Sequence, residues 1–165
     1  SSDLILGSLH FSSQVTLGSN QVSFTSSAGY DGLFFKYRPS TGALIWGNQV
    51  RSPGDDTCDD LLEAPSGTLY GIARHVGSQP IGGIPFTHPG ATDLAIVEMT
   101  SGGAVQVVRN YGQTGLSFGP SRAEVAPSGK LLLRTTMSTY GNFDWGNGVV
   151  LPMASTTSHV VFFQP

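Results

Sequence analysis

Ala-Pro-Ser-Gly stands at residues 64–67 and again at 126–129, a step of 62 residues, and each copy leads into an apolar run. A motif that recurs at a fixed long period marks a repeat architecture, in which each copy is one supersecondary unit. Four kinds of run recur in the same order. The first is "DLILGSL" (3–9), "TLYGIAR" (68–74) and "KLLLRTT" (130–136); the second is "DGLFFKY" (31–37), "DLAIVEM" (93–99) and "HVVFFQP" (159–165). The third is "GALIWGN" (42–48) and "GAVQVVRN" (103–110), and the fourth is "LLEAP" (61–65) and "AEVAP" (123–127). In the second run the sixth place is polar each time: Lys36, Glu98 and Gln164.

Every run is short, rich in Val, Ile, Leu, Phe and Tyr, and bounded by Gly, Pro, Ser or Asn, which are strand signals. No stretch keeps the i, i+3, i+4, i+7 spacing of an amphipathic helix. "RPSTGA" and "TSGGA" predict hairpins whose Gly42, Gly102 and Gly103 supply positive φ, and Pro65 and Pro127 preset φ in the "APSG" turns. The link from first run to second varies among the copies and predicts a short extra extended segment at the rim. The fold class is therefore all-β: four-stranded antiparallel blades of the β-propeller type, repeated in one domain over 1–165, with units at about 1–60, 61–122 and 123–165. Continuous apolar runs imply sheets covered on both faces. Leu33, Phe34, Phe35, Leu94, Ile96, Val97, Val160, Val161 and Phe162 are expected in the core, with Phe35→Ala costing about 3–5 kcal/mol.

Charged residues make up only 12% and the net charge is −3, so no basic patch points to nucleic acid. Apolar residues at 39%, gathered in blocks, argue against disorder. No apolar run is long enough for a membrane span. The single cysteine, Cys58, is left as a free thiol or an intermolecular bridge.

The segment 54–112 resembles the SBBP family of bacterial β-propeller repeats. Gly54, Asp55 and Asp56 match the family's Gly-Asp-Asp opening, "LLEAP" its "IAVD" strand, and "GTLYGIA" its "GNVYVTG" strand. Its "DAFVAKLDPSG" is similar to "TDLAIVEMTSG" and closer still to "YDGLFFKYRPSTG" at 30–42, which is followed by Trp46. The likeness extends over the chain as roughly two and a half copies; the later junctions lack the double Asp, and the third copy degenerates before "HVVFFQP". The resemblance implies a secreted or cell-surface protein and no particular enzymatic activity.

Asp55, Asp56, Asp59 and Asp60 form the densest polar cluster. Carboxylates so spaced can ligate Ca²⁺, although the EF-hand order is absent; alternatively they accept backbone N–H bonds in a turn. No other cofactor is expected. Of His10, His75, His88 and His159, the first two take matching places after the first run, which argues for a shared structural position, and no zinc spacing accompanies them. No nucleophile elbow occurs, and Cys58 lies among carboxylates that disfavour a thiolate, so an enzyme is not expected. Trp46, Tyr111, Phe118, Tyr140, Phe143 and Trp145 are read as exposed aromatics. Tyr140, Asn142, Asp144 and Trp145 in "YGNFDWGNG" form the best local candidate for a sugar site.

Two functions fit. One is a secreted or cell-surface structural or adhesive module that acts through protein–protein contacts and self-assembly; the other is a glycan-binding, lectin-like propeller module. Two and a half blades do not close a propeller, which takes roughly four to eight. Unpaired strands at both ends are expected to pair with other copies or with further parts of a longer chain, in a ring or a filament.

Overall fold

A computed structural model describes residues 3–85, 87, 91–145 and 150–163, with side chains described for 3–85, 87, 91–138 and 143–145. Those residues are all-β, with no helix among them. Three antiparallel sheets carry the repeat. Sheet 1 joins β1 (Ile5–Phe11), β4 (Asp31–Arg38) and β5 (Ala43–Val50) in the order β1-β4-β5, and between them in sequence lies a hairpin of β2 (Gln14–Leu17) and β3 (Val22–Thr25). Sheet 2 has β6 (Thr57–Glu63), β7 (Leu69–His75), β8 (Asp93–Met99) and β9 (Val105–Tyr111), paired in chain order. Sheet 3 has β10 (Ser117–Val125), β11 (Leu131–Asp144) and β12 (Val150–Phe163). The four expected runs thus pair as one sheet in the second unit, while the first and third units have three paired strands each among the described residues.

The "APSG" turns explain why the motif recurs. Gly67 N–H bonds Ala64 C=O at 2.8 Å and Ala64 N–H bonds Thr68 C=O at 2.9 Å; Gly129, Ala126 and Lys130 repeat this at 2.8 and 2.8 Å. Gly67 and Gly129 sit at φ +83° and +82°, the left-handed position of a hairpin turn with a glycine bulge. Thr100, Gly103 and Ala104 build the same closure between β8 and β9 without the proline.

The sheets stack face to face with sheet 2 in the middle. Leu69, Ala73, Ala95, Val97 and Met99 point one way, into a core with Phe34, Val50, Cys58, Leu61 and Ile81. Tyr70, Ile72, Leu94 and Ile96 point the other way, against Leu116, Phe118, Leu131, Leu133 and Met137. Both faces of β7 and β8 are covered, and so their sequences are apolar without alternation.

Phe34 is fully buried and its ring lies on Gly71, where a Cβ would come within 2.7 Å of Phe34 Cζ. Phe35, expected in the core, is half-buried on the opposite face of β4, its ring over Gly7. The cost foreseen for Phe35→Ala belongs to Phe34. Leu33, Leu94, Ile96 and Val97 are buried as expected; the side chains of Val160, Val161 and Phe162 lie outside the described residues.

The variable links differ in form. In the first unit the β2–β3 hairpin turns back along β5: Asn20 donates to Leu44 C=O at 2.9 Å and accepts from Leu44 N–H at 3.1 Å, blunting that free edge. Phe24 covers Gly47 beside Leu33, so the hairpin caps a face as well as a rim. In the second unit the link holds an Ile81–Ile84 bridge with Ile81 buried. In the third there is no separate segment among the described residues: β11 and β12 lengthen to 14 residues each and continue as one ribbon.

Candidate functional site

The polar residues gather where β6 meets β10, the matching strands of successive units. β6 bulges between Cys58 and Asp60, which directs the carboxylates of both Asp59 and Asp60 across to sheet 3. Asp59 Oδ2 accepts from Ser121 N–H at 2.8 Å, and Asp60 Oδ2 from Ala123 N–H at 3.0 Å. Asp59 also takes a forked bond from Arg74, at 3.0 Å from Nε to Oδ2 and 3.1 Å from the Nη2 nitrogen to Oδ1. Arg122 donates to Asp59 C=O at 2.8 Å.

The other two aspartates work elsewhere. Asp55 accepts from Tyr30 N–H at 3.0 Å. Asp56 is sealed from solvent, accepts from Val76 N–H at 2.9 Å, and lies 2.6 Å from His75 Nδ1. The four carboxylates therefore diverge. Each holds a main-chain N–H distant in sequence, so the cluster links units instead of building one local turn. Among the described residues no three His, Cys, Asp or Glu side chains converge as a metal centre.

Asp56 and His75 have the spacing of an orienting carboxylate and a base. The ring is fully buried, however, and its Nε2 lies 3.2 Å from Gln79 C=O. The pair ties β6, β7 and the loop after β7 together. His10 is not its counterpart. Asp31 and Asp93 begin the second run of their units; Asp93 pairs with His75, whereas Asp31 pairs with Phe11. His10 is one residue out of step and so on the other face, exposed, with its ring edge-on to Tyr30. His88 and the side chain of His159 lie outside the described residues.

Sequence reasoning gave no role to Asp31 and Asp93, yet both are fully buried. Asp31 is held by Ser27 N–H at 3.1 Å and Gln49 Nε2 at 2.6 Å; Asp93 is held by Asn110 Nδ2 at 2.9 Å. Their signal was present: an Asp opening the second run twice, 62 residues apart.

The aromatic residues read as exposed are largely internal. Phe118, Phe143 and Trp145 are 2%, 2% and 5% exposed and meet edge to face, with Tyr111 tilted against Trp145. This cluster seals the far end of the core between sheets 2 and 3. The indole of Trp145 is thus not an open platform for a sugar ring; Asp144 beside it is exposed. The backbones of Tyr140 and Asn142 pair with Ala154 and Pro152 in the ribbon, and their side chains lie outside the described residues.

Burial, and then the charges of Asp59 and Asp56, push the Cys58 thiol well above its usual 9.0. With 4% exposure it is a free, enclosed side chain and not a surface thiol able to bridge chains. Comparison with protein-family models, curated proteins and solved structures gives no match.

Proposed function

We propose that the chain is a secreted or cell-surface structural module of propeller-type blades, similar to SBBP repeats, that acts through protein–protein contacts and self-assembly. The observation that carries this reading is the bond of β6 to β10 through Asp59 and Asp60. It ties equivalent strands of neighbouring sheets, which is how innermost strands of adjacent blades meet. The chain-order pairing of β6 to β9 agrees with a blade built from the inside outward. The polar groups gathered at the junctions are spent on holding sheets together.

Strand addition is the route proposed for self-assembly. β7 and β11 each carry an inner neighbour, β6 and β10, while β1 in the matching place of sheet 1 carries none among the described residues. Leu4 and Ile5 beside that edge are 39% and 53% exposed. An added strand pairs there in this reading, from a second chain or from other parts of a longer one. Sedimentation velocity over a concentration series, with amide exchange along β1, tests this. Concentration-dependent association with protection of residues 5–11 is expected; a monomer at every concentration with a freely exchanging β1 would refute self-assembly.

A further inference from the structure

We infer that His75 is a doubly protonated ring that latches residues 76–85 onto the stack, and that a rise in pH opens this latch. Both ring nitrogens face oxygen: Nδ1 lies 2.6 Å from Asp56 Oδ1, and Nε2 lies 3.2 Å from Gln79 C=O. A neutral imidazole has one N–H and one lone pair, so it serves only one of these acceptors; the imidazolium donates to both. The surroundings call for the cation as well. Asp56 is sealed from solvent, its Oδ1 also accepts from Val76 N–H at 2.9 Å, and its Oδ2 has no hydrogen-bond partner among the described residues. A carboxylate so placed is costly to bury unless a positive charge stands beside it. Asp93 of β8, also fully buried, is the direct cross-strand partner of His75 on the same face and adds a second acid. Cys58 of β6 pairs with Ala73, two places along that face, and burial keeps its proton in place. Arg74 points to the opposite face and is forked on Asp59, while Asp31 lies on the far face of β4. His10 of β1 is exposed against Tyr30, Asp55 bonds Tyr30 N–H, and β9 contributes the neutral Asn110, bonded to Asp93. Asp56 shares no converging metal centre with its neighbours among the described residues.

The latch holds a loop that has no charge of its own: residues 76–85 contain no Lys, Arg, Asp or Glu. The Asp56–His75 pair binds the loop twice near its start, at Val76 N–H and at Gln79 C=O. Ile81 follows, fully buried in the core with Phe34 and Val50 and bridged to Ile84, and Gly82 lies against Val105 at the start of β9. Loss of the ring proton sets a lone pair against Gln79 C=O or against the Asp56 carboxylate. The loop then lifts, and Ile81 leaves the junction of sheets 1 and 2. The direction follows from the proton count. A histidine in water releases its proton near about pH 6.5. Above that value each opening releases one proton that the closed loop holds, so opening is favoured as pH rises.

The test is amide exchange of Val76, Ile81 and Ile84 in the full chain over a pH series, corrected for the intrinsic exchange rate, together with nitrogen NMR of the imidazole. These three amides are bonded to Asp56 and across the Ile81–Ile84 bridge, so each reports the closed loop. Their opening equilibrium is expected to rise about tenfold per pH unit, the slope of one released proton. The ring should show two protonated nitrogens while the loop is closed. His75→Gln has no proton to release there, and its slope should vanish. A bare ring nitrogen in the closed state would overturn the latch, as would an opening equilibrium that does not change with pH. So would a His75→Gln slope equal to that of the natural sequence. Where His75→Gln does not fold, the ring nitrogens and the slope of the natural sequence decide alone. Exchange along β1 reports separately on self-assembly, so either proposal can fail without the other.

Discussion

Asp59 and Ser121 lie one 62-residue period apart in the sequence, and they are bonded to each other: the Asp59 carboxylate, on the bulge of β6, accepts the N–H of Ser121 at 2.8 Å. The repeat period is thereby written into a contact. Its carboxylate is 7% exposed and also carries the forked bond from Arg74, itself 23% exposed. Asp59→Asn keeps the shape but leaves Arg74 without its counter-charge. Removing one partner of a buried ion pair costs about 3–5 kcal/mol, and the partial exposure of Arg74 places this case near about 3. Urea unfolding followed by circular dichroism measures it. A loss under about 1 kcal/mol would class the pair with surface salt bridges.

The contact of Phe34 with Gly71 sets the approach of sheets 1 and 2. Gly71 has no positive φ, so its role is space alone. Gly71→Ala would drive a methyl group into a fully buried ring and is expected to cost about 1–3 kcal/mol. Adding Phe34→Leu should recover part of that loss, since the two residues share one volume and their effects are not additive. Strict additivity in a double-mutant cycle would show that the ring does not rest there.

The twin turns offer an internal control. Gly67 and Gly129 have φ of +83° and +82°, and a Cβ on either would meet nothing within 4 Å. Alanine at each position therefore suffers only the left-handed backbone penalty, about 1–2 kcal/mol. Equal destabilisation by Gly67→Ala and Gly129→Ala is the expected outcome in parallel urea titrations. A difference between them of more than about 0.5 kcal/mol would mean that the two turns are not equivalent in context.

Strands and turns were legible because their causes are local: Pro65 and Gly67 make their hairpin from their own φ preferences wherever the chain goes. Which face a residue takes was less legible. In "GLFF" every position is apolar, so nothing in the run distinguishes Phe34 from Phe35; the choice is made by Gly71 on another sheet. The same slip aligned His10 with His75, because apolar runs slide past one another by one residue without changing their appearance. The reach of Asp59 and Asp60 was hidden for a different reason. Their acceptors bind backbone N–H groups, which every residue but proline offers, so Ser121 and Ala123 carry no mark of the contact. The aromatic residues were misplaced because a ring beside Asn and Asp reads alike in a sugar site and in a sealed core end. Only the mutual edge contacts of Phe118, Phe143 and Trp145 decide it.

Cys58 gives a prediction in pH. Burial first, then the charges of Asp59 and Asp56, hold the folded thiol well above 9.0, the ordinary value at which the thiol of the unfolded chain ionises. Below that value both states keep the proton, and the thiol's contribution to stability is fully present. As pH rises between the two values the unfolded chain loses a proton that the folded chain retains, so stability falls with pH. Tyr70 and Tyr111, both raised chiefly by burial, act in the same direction at higher pH. They remain in a Cys58→Ala variant, so the difference between the two chains isolates the thiol. Urea midpoints from about pH 7 to about pH 10 should decline more steeply for the natural sequence than for Cys58→Ala. A disulfide reagent added to the folded protein should label Cys58 only as fast as the chain opens. Parallel pH profiles for the two chains, or labelling as fast as in urea-unfolded protein, would contradict the enclosed thiol.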